Sequence, residues 1–501
     1  MITSAGVSAF DGNKGALATG FFRRLRDALE AHYGGPQAVS TGWISHTCFE
    51  PHVAARILAG FLKEEDVTVW HGAEATSILR EEGRVAGAII RHGGREREVR
   101  AKITLEATEY GDVLAMSGAE WLLGRESQSE FGEADAPPVA DMAVQDLTIC
   151  ATLKKHAGRA PALPRPADYD PSEFDGAIAD YCSNPDEDWL GHRLHQWDSF
   201  ISYASLPNDK YLLNWPFRSN DSPDTLGVFG TAEERATALQ KGRDRTLRFV
   251  YFMQNELGHP EWGLADDEYD TPDKLAYIPY TREARRVRGL HTMVEKDVLP
   301  VEGGVRPPFR ADSIAVGDYF LDHHHSEAHR PPEERLVEDY PDNAPFQVPY
   351  GCLVPRDLKG LLVAEKSISV SHIVNGCTRL QPVVMHIGQA AGAAAGLCLR
   401  KGIEPADLDV RELQEFLIGE GLMLYPYRDM DHTHPAAKAV QRLAMRGVMP
   451  EGERFEFRPD DPATEADLAA WAKDSGTDPA TLKSKIADGI TRGDLATILA
   501  G

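Results

Sequence analysis

The chain has 501 residues, of which 42% are hydrophobic and 26% charged, so it is long enough for two or three domains with hydrophobic cores. Its 53 basic and 78 acidic residues give a formal net charge of −25, which disfavours nucleic acid and anionic membranes as partners. The 6 cysteines show neither C-x-x-C nor ferredoxin spacing, so neither an iron–sulfur cluster nor a dense disulfide framework is predicted.

The N-terminal part of the chain is predicted to alternate helix and strand. Apolar residues recur at helical spacing over 53–62, and the apolar and β-branched run 67–70 is typical of a strand. A hairpin is predicted over 78–90, because an acidic, glycine-containing turn separates two apolar runs. A further strand is predicted over 101–107.

Small and polar residues follow the last of these strands, with Thr108, Gly111 and Asp112 in the segment Thr-Glu-Tyr-Gly-Asp. A strand end with small residues lets a dinucleotide approach the backbone closely, as it does in doubly wound folds. The alternative is an ordinary connection from strand to helix, with Asp112 near the helix start.

Between 134 and 345 the chain changes to proline-rich connections, many aromatic residues and weak periodicity, which indicates an inserted α+β substrate or cap domain. Four arginines, Arg282 and Arg286 among them, fall within about seven residues of this region. Guanidinium groups suit carboxylates and phosphates, so this run could meet an anionic small-molecule substrate. Structural pairing with the abundant Asp and Glu side chains is the alternative.

Residues 323–325, all histidine, stand near the end of this region. Histidine-rich tracts can bind metal ions, but three consecutive imidazoles cannot all face the same way on a strand or helix. We therefore predict a polar active-site loop here and no metal site.

Residues 360–402 carry the strongest pattern, which is an apolar run, a polar loop and a helix rich in glycine and alanine. Pro382 suits the first helical position and is expected to hold Gln381 extended, which leaves the amides of 383–385 as free donors. Two basic residues and Gly402 end the helix. The helix start is therefore predicted to be a positive, donor-rich spot.

Two other interpretations concern the same helix. Gly388, Gly392 and Gly396 are four residues apart, so they could let another backbone pack closely against it. A membrane span is rejected, because alanine and glycine are weakly apolar and because His386 and Gln389 lie in mid-helix.

His372 lies in the predicted loop just before this helix. An imidazole at that position could protonate or polarise a substrate bound beside the helix start. A histidine with a purely structural role fits the sequence equally well.

The tail from 427 to 501 is predicted to be a small helical module, with helices over 431–447 and through Trp471. Segments 464–467 and 490–495 resemble the signature of one S-layer-homology repeat. Repeats that bind cell walls usually come in three copies, so a single copy indicates packing or docking against a partner.

Together these patterns resemble the FAD-dependent oxidoreductase superfamily, in particular its fumarate-reductase-like and heterodisulfide-reductase-A-like flavoproteins. The likeness rests on the strand, loop and Gly-Gln-Ala-Ala-Gly helix of 360–392, the Ala-Thr-Glu-Tyr-Gly-Asp strand exit of 107–112 and the arginine run 280–289. Segment 124–133 also resembles this group, and no chemical role is predicted for it.

The resemblance implies an α/β fold of the glutathione-reductase type, with FAD as cofactor. It divides the chain into a FAD-binding domain at 1–133 and 346–426, an inserted substrate domain at 134–345 and the helical module at 427–501. The implied reaction is hydride transfer between an unidentified organic substrate and flavin N5, with an unknown electron acceptor. The rival interpretation is a non-catalytic protein that binds carbohydrate or a partner on a degenerate flavin fold.

The resemblance also implies roles for individual residues. The implied catalytic residues are His372, Arg282 and Arg286. The implied FAD contacts are Thr108, Gly111, Asp112, Ala364, Glu365, Arg379, Gln381, Pro382, Gly388 and Gln389. A helix start at the pyrimidine edge of the isoalloxazine would stabilise the negative charge of the reduced flavin.

One FAD can contact these distant segments only if they converge in the fold. We therefore expect the strand at 360–365 to lie beside the strand at 101–107 in one sheet. The start of the Pro382 helix and the 108–112 loop should then border a common cleft.

No G-x-G-x-x-G motif occurs in the sequence, although FAD domains of this class begin with one. The chain opens with a segment, 1–6, that resembles the stretch after the first βαβ unit in the family. We therefore expect a shortened chain that, expressed from Met1, is colourless and aggregates. The reason is that the glycine loop supplies the backbone amides that bind the FAD pyrophosphate.

Overall fold

A computed structural model describes residues 1–185, 194–216, 218–325, 344–448, 455–475, 478, 480 and 489–500. Its α-helices are α1 (Gly20–Tyr33), α2 (Pro36–Val39), α3 (Pro51–Glu64), α4 (Asp112–Ser117), α5 (Gln128–Phe131), α6 (Trp197–Ser202), α7 (Ala232–Asn255), α8 (His372–Thr378), α9 (Gln381–Lys401), α10 (Val410–Gly419), α11 (Ala437–Met445), α12 (Glu465–Ser475) and α13 (Arg492–Ala500).

The strands of the described residues form several small sheets. They are β1 (Ala73–Glu81), β2 (Arg84–His92), β3 (Arg95–Arg100), β4 (Thr104–Glu106), β5 (Trp121–Leu122), β6 (Leu147–Thr148), β7 (Ala151–Lys155), β8 (Ser205–Leu206), β9 (Lys210–Leu213), β10 (Asp221–Ser222), β11 (Trp262–Leu264), β12 (Tyr280–Thr281), β13 (Arg286–Val287), β14 (Ser313–Gly317), β15 (Phe346–Pro349) and β16 (Leu361–Val363). This mixture of helices and strands is consistent with an α/β FAD-binding fold.

Strands β4 and β16 lie side by side and form a parallel pair, in which Leu361 is opposite Thr104. Parallel strands place their carboxyl ends at the same edge of a sheet, so Ala107 and Ala364 leave the pair as neighbours. The predicted pairing of these two distant segments is therefore confirmed, although both strands are shorter than expected.

The N-terminal predictions have mixed outcomes. The hairpin over 78–90 is confirmed, because β1 and β2 pair antiparallel. Its turn residues, Glu82 and Gly83, have φ angles of 48° and 79°, which two-residue hairpin turns require. The strand predicted at 67–70 is wrong. Extended backbone becomes a strand only where a neighbouring strand supplies hydrogen-bond partners, and no strand of the described residues lies beside this segment.

Helices α1 and α3 pack together on one side of this region. The buried residues of α1 include Phe22, Leu25 and Leu29, which share one helical face because they are three and four positions apart. The helix predicted over 53–62 is confirmed as α3. It begins at Pro51, where the missing amide has no helical partner to lose.

The described part of 134–345 builds a second core around an antiparallel sheet with the strand order β11-β7-β9-β8. Helix α7 packs on this core and begins with a capping box. Thr231 Oγ1 accepts a hydrogen bond from the Glu234 amide, and the Glu234 carboxylate accepts one from the Thr231 amide. Phe249 and Phe252 of α7 enclose the ring of Phe174.

Helix α9 is the central helix of another core, where it packs against β14, β16 and α10. By length and composition alone this helix could cross a membrane. However, 56% of its most apolar 18-residue stretch is buried within the protein. Burial of this kind is typical of a core helix whose neighbours surround it.

The helices predicted in the tail are present as α11 and α12, with shorter bounds, and α13 follows them. The two segments that resemble the S-layer signature are helix caps. Thr464 and Asp467 bond each other's amides at the start of α12, and Thr491 and Asp494 do the same at α13. Arg492 joins the two helices through an ion pair with Asp467.

Candidate functional site

A cavity of about 690 Å³ opens at the carboxyl ends of β4 and β16. Ala107 lines it from the end of β4, Ala364 and Glu365 from the end of β16, and Gly388 and Gln389 from α9. The first turn of α1 closes another side. Ligands of open α/β sheets bind in the crevice outside the carboxyl ends of the strands, so this cavity is the candidate cofactor site.

The cavity brings together only part of the predicted FAD contacts. Ala364, Glu365, Gly388 and Gln389 line it. The predicted contacts that do not line it are Thr108, Gly111, Asp112, Arg379, Gln381 and Pro382.

The glycines of α9 leave open space rather than close packing. Among the described residues, a Cβ atom added to Gly388 or Gly392 would meet no atom within 4 Å, and one added to Gly396 would meet the end of Arg400 at 3.8 Å. No backbone of the described residues therefore packs closely against these glycines, contrary to that interpretation. At Gly388 the free space belongs to the cavity.

The start of α9 differs in detail from the prediction. Leu380 is the extended residue before the helix, and Gln381 is the first helical residue. The Val384 amide donates to Leu380 O at 2.9 Å, so it is not a free donor. The helix ends as predicted, because Gly402 has a φ of 66° and donates to Cys398 O.

Two side chains shape the wall of the cavity. Gln389 Oε1 accepts a hydrogen bond from the Phe21 amide at 2.8 Å, which fixes α1 against α9. A Cβ atom on Gly20 would lie 2.3 Å from that oxygen, so this position requires glycine. Glu365 has a backbone φ angle of 60°, which is uncommon for a residue other than glycine. Its carboxylate forms an ion pair with the ammonium group of Lys366 at 2.9 Å.

The loop after β4 faces the arginine run rather than the cavity. Asp112 accepts hydrogen bonds at 2.8 Å from both guanidinium nitrogens of Arg235 and one at 2.9 Å from Arg285. A Cβ atom on Gly111 would lie 2.9 Å from the Cβ of Arg285, and Thr108 Oγ1 accepts from the Asp112 amide. Asp112 is the first residue of α4, and its carboxylate pairs with these two arginines.

Each arginine of the run is paired with an acidic side chain. Arg282 pairs with Asp221 at 3.3 Å, and its Nη1 also donates to Asp146 O. Arg286, fully buried, pairs with Glu126 and lies 3.9 Å from Glu283. The partners of the other two are Asp112 for Arg285 and Glu130 for Arg288. The contacts therefore match the interpretation of structural pairing.

His372 is the first residue of α8 and not part of a loop. Its Nδ1 lies 3.0 Å from Glu126 Oε2, and the same carboxylate accepts a hydrogen bond from the His372 amide. Burial lowers the pKa of His372 even though Glu126 opposes this shift. Burial raises the pKa of Glu126, but Arg286 and His372 outweigh it and hold that pKa below its ordinary value.

Arg379 ends α8 and is buried three residues before Pro382. Its Nη2 donates to Asp322 Oδ2 at 2.7 Å, and its Nη1 donates to the Tyr280 hydroxyl. His324 Nε2 lies 3.2 Å from the same Asp322 oxygen. Part of the histidine tract thus belongs to an ionic cluster at the head of α9, and the next positions, 326–343, lie outside the described residues.

One further group of residues with metal-ligating side chains, two glutamates and a histidine, is close enough to share a cation. Glu50, His52 and Glu268 bring their ligand atoms within 4.8 Å of one another. The ammonium group of Lys210 already lies 2.7 Å from Glu50 and 2.6 Å from Glu268, so the protein's own cation lies between these two carboxylates.

Sequence reasoning missed two acidic residues of the region. Asp322 directly precedes the histidine tract, but a single aspartate gives no signal before its neighbours are known. Glu126 lies in the segment 124–133, whose resemblance to the flavoprotein group carried no role. The segment's acidic residues hold the start of α8, since Glu133 accepts a hydrogen bond from Ser371.

These features together define a class of protein. The site combines a parallel strand pair, small residues at the strand ends and a helix whose glycines leave free space beside it. This combination is typical of α/β proteins that bind a nucleotide cofactor.

The chain belongs to the FAD dependent oxidoreductase family, whose sequence model matches residues 1–417. Its cofactor is therefore FAD and its function is flavin-linked redox chemistry. An S-layer homology domain matches residues 426–469, which agrees with the resemblance seen in the tail. No curated protein and no solved structure matches the chain.

The cavity residues fit part of FAD. Gly388 and the alanines at the strand ends leave room for a planar ring beside α9. For the pyrophosphate, Arg24 is the one Lys or Arg side chain among the residues that line the cavity, and it is paired with Glu64 and Glu65. The donor set therefore suits the isoalloxazine better than the phosphates.

Proposed function

We propose that the chain transfers a hydride between a small organic substrate and flavin N5, with the isoalloxazine in the cavity between α9 and the ends of β4 and β16. The observation that carries this proposal is the open face of Gly388 at the carboxyl ends of two parallel strands. The family match over 1–417 favours it over a non-catalytic binding protein.

The protein's contribution is binding, orientation and electrostatics. Bound FAD supplies the hydride-accepting or hydride-donating centre. Ala107 and Ala364 allow close approach of a ring, while Gln389 holds α1 as the opposite wall. The first turn of α9 places the positive end of its helix dipole beside the site, which favours negative charge there.

Replacement of Gly388 by leucine tests this location. Its side chain would enter the cavity, so we expect Gly388→Leu to weaken FAD binding at least tenfold, which corresponds to about 1.4 kcal/mol. The measurement is a titration of the purified protein with excess FAD, followed by the change in flavin fluorescence. Excess FAD is used because Arg24, the one Lys or Arg side chain that lines the cavity, is already paired with Glu64 and Glu65.

Gly392→Leu is the matched control. Gly392 lies one turn further along α9, has equal free space around its Cβ position and does not line the cavity. Both changes improve helix propensity by up to about 1 kcal/mol, so neither should unfold the protein. Equal FAD affinities for the two variants would place the flavin elsewhere.

A further inference from the structure

Arg24 is the one basic side chain among the described residues that line the cavity. Gly20 and Phe21, which also line the cavity, precede Arg24 by four and three positions, so the three residues share one face of α1. No sequence motif singled out Arg24, and the family resemblance gave it no role. The cavity itself therefore identifies its guanidinium group as a candidate contact for a bound molecule.

The guanidinium group is held at the cavity wall by an aromatic ring. Its central carbon lies over the Phe61 ring, 4.2 Å from the ring centroid. Phe61 packs edge-on against Phe21, with the two ring centroids 6.1 Å apart, and Phe21 lines the cavity. The ring contact uses none of the five N–H donors of the guanidinium, so these remain for other partners.

The partners of these donors are two glutamates at the end of α3. Arg24 Nη2 donates to Glu64 Oε2 at 2.8 Å, and Arg24 Nη1 donates to Glu65 Oε1 at 3.3 Å. The two glutamate side chains are 64% and 65% exposed. Exposed ion pairs are weak, because water screens the charges and because ordering two long side chains costs entropy. An anion in the cavity could therefore replace the glutamates at little cost.

The two other charged side chains that line the cavity are carboxylates. Glu365 pairs with the buried Lys366 at 2.9 Å. Glu420 is exposed and follows the last residue of α10. Carboxylates accept hydrogen bonds but cannot donate them when ionised, so Arg24 is the charged group of the described wall that can bind an anion.

We propose that Arg24 binds the pyrophosphate of FAD, by exchanging Glu64 and Glu65 for phosphate oxygens when the cofactor enters. The inference rests on the proposed function, which places the isoalloxazine in this cavity. With the ring beside Gly388, the rest of FAD must pass one of the walls, and α1 is the wall that carries a cation. The planar fork of a guanidinium group matches two phosphate oxygens. The exchange of partners thus supplies the donor that the phosphates need.

Two flavins separate a phosphate contact from a ring contact. FAD carries the pyrophosphate, whereas riboflavin has the same ring and ribityl chain without any phosphate. We expect Arg24→Met to weaken FAD binding roughly tenfold, because a charge-assisted hydrogen bond is lost. The affinity for riboflavin should not change. The measurement is a titration of the purified protein with each flavin, followed by flavin fluorescence.

Arg26→Met is the matched control. Arg26 lies two residues further along α1, pairs with Glu30 at 3.3 Å and does not line the cavity. Its replacement removes the same charge from the same helix, so it measures the effect of net charge on an anionic ligand. We expect this variant to bind FAD as the wild type does. An equal loss of FAD affinity in both variants would overturn the proposed contact.

The exchange of partners also makes a prediction of opposite sign. Glu64→Gln combined with Glu65→Gln releases Arg24 before FAD arrives, so we expect FAD to bind about two- to fivefold more tightly. In the Arg24→Met background the same two changes should leave the FAD affinity unaltered. An increase of the same size in both backgrounds would contradict the exchange, because the glutamates would then act on FAD without Arg24.

The outcomes separate this inference from the proposed function. If both flavins bind the wild type and Arg24→Met changes neither affinity, the role of Arg24 is wrong and the proposed function stands. An equal loss for FAD and riboflavin would also refute the pyrophosphate contact, since riboflavin has no phosphate. If the wild type binds neither flavin, the proposed function fails and the role of Arg24 fails with it.

Discussion

Arg379→Ala is expected to lower the free energy of unfolding by about 3–5 kcal/mol, because it removes the guanidinium that is hydrogen bonded to the buried Asp322 carboxylate. The two side chains are 2% and 12% exposed and are joined at 2.7 Å. Urea unfolding at pH 7 measures the loss. We also expect the variant to bind FAD roughly tenfold more weakly, since the cluster borders the start of α9.

The pH dependence of this loss identifies its cause. A depressed carboxyl pKa contributes stability above the unfolded value of 3.8, and this contribution is lost as the pH falls. The effect of Arg379→Ala should therefore be retained between pH 7 and pH 4 and shrink only as the pH falls below about 3.8. Arg428→Ala, which breaks the half-exposed pair with Asp318, should lose about 1 kcal/mol or less. A similar small loss for Arg379→Ala would mean that Asp322 is hydrated or neutral.

Arg286→Met is the second change with a large expected effect. It removes the cation between Glu126 and Glu283, whose side chains are only 4% and 0% exposed. We expect the free energy of unfolding to fall by about 3–5 kcal/mol, measured by urea unfolding at pH 7. His372 alone would then face Glu126, because its Nδ1 is 3.0 Å from that carboxylate.

Two further variants separate charge from packing. Arg288→Met removes a guanidinium of the same run that is 25% exposed, so its loss should be about 1 kcal/mol or less. Adding Glu126→Gln to Arg286→Met should restore part of the stability, because one of the two buried carboxylates that lost their cation is then uncharged. A double variant as unstable as the sum of the two single changes would show that the pair is not coupled.

Local patterns predicted much of the frame of the site. The run 360–365 and the segment 101–107 were each apolar and ended in small residues, so their pairing followed from the need for one ligand to reach both. The end of α9 followed from Gly402, and its start was predicted to within one residue from Pro382, because the backbone preferences of these residues act without tertiary contacts.

Features that depend on distant partners could not be predicted in this way. Segment 67–70 has the composition of a strand, but strand formation needs a neighbour, and the described structure supplies none. The arginine run gave no indication of which acids it meets, because Glu126 and Asp221 are far away in sequence.

The most direct test of the flavin site is a crystal structure of the chain grown with excess FAD. We predict an isoalloxazine ring in the cavity at the ends of β4 and β16, with one face against Gly388 and the strand-end residues Ala107 and Ala364 at its edge. A flavin bound at another place, or an empty cavity at saturating FAD, would contradict this account of the site.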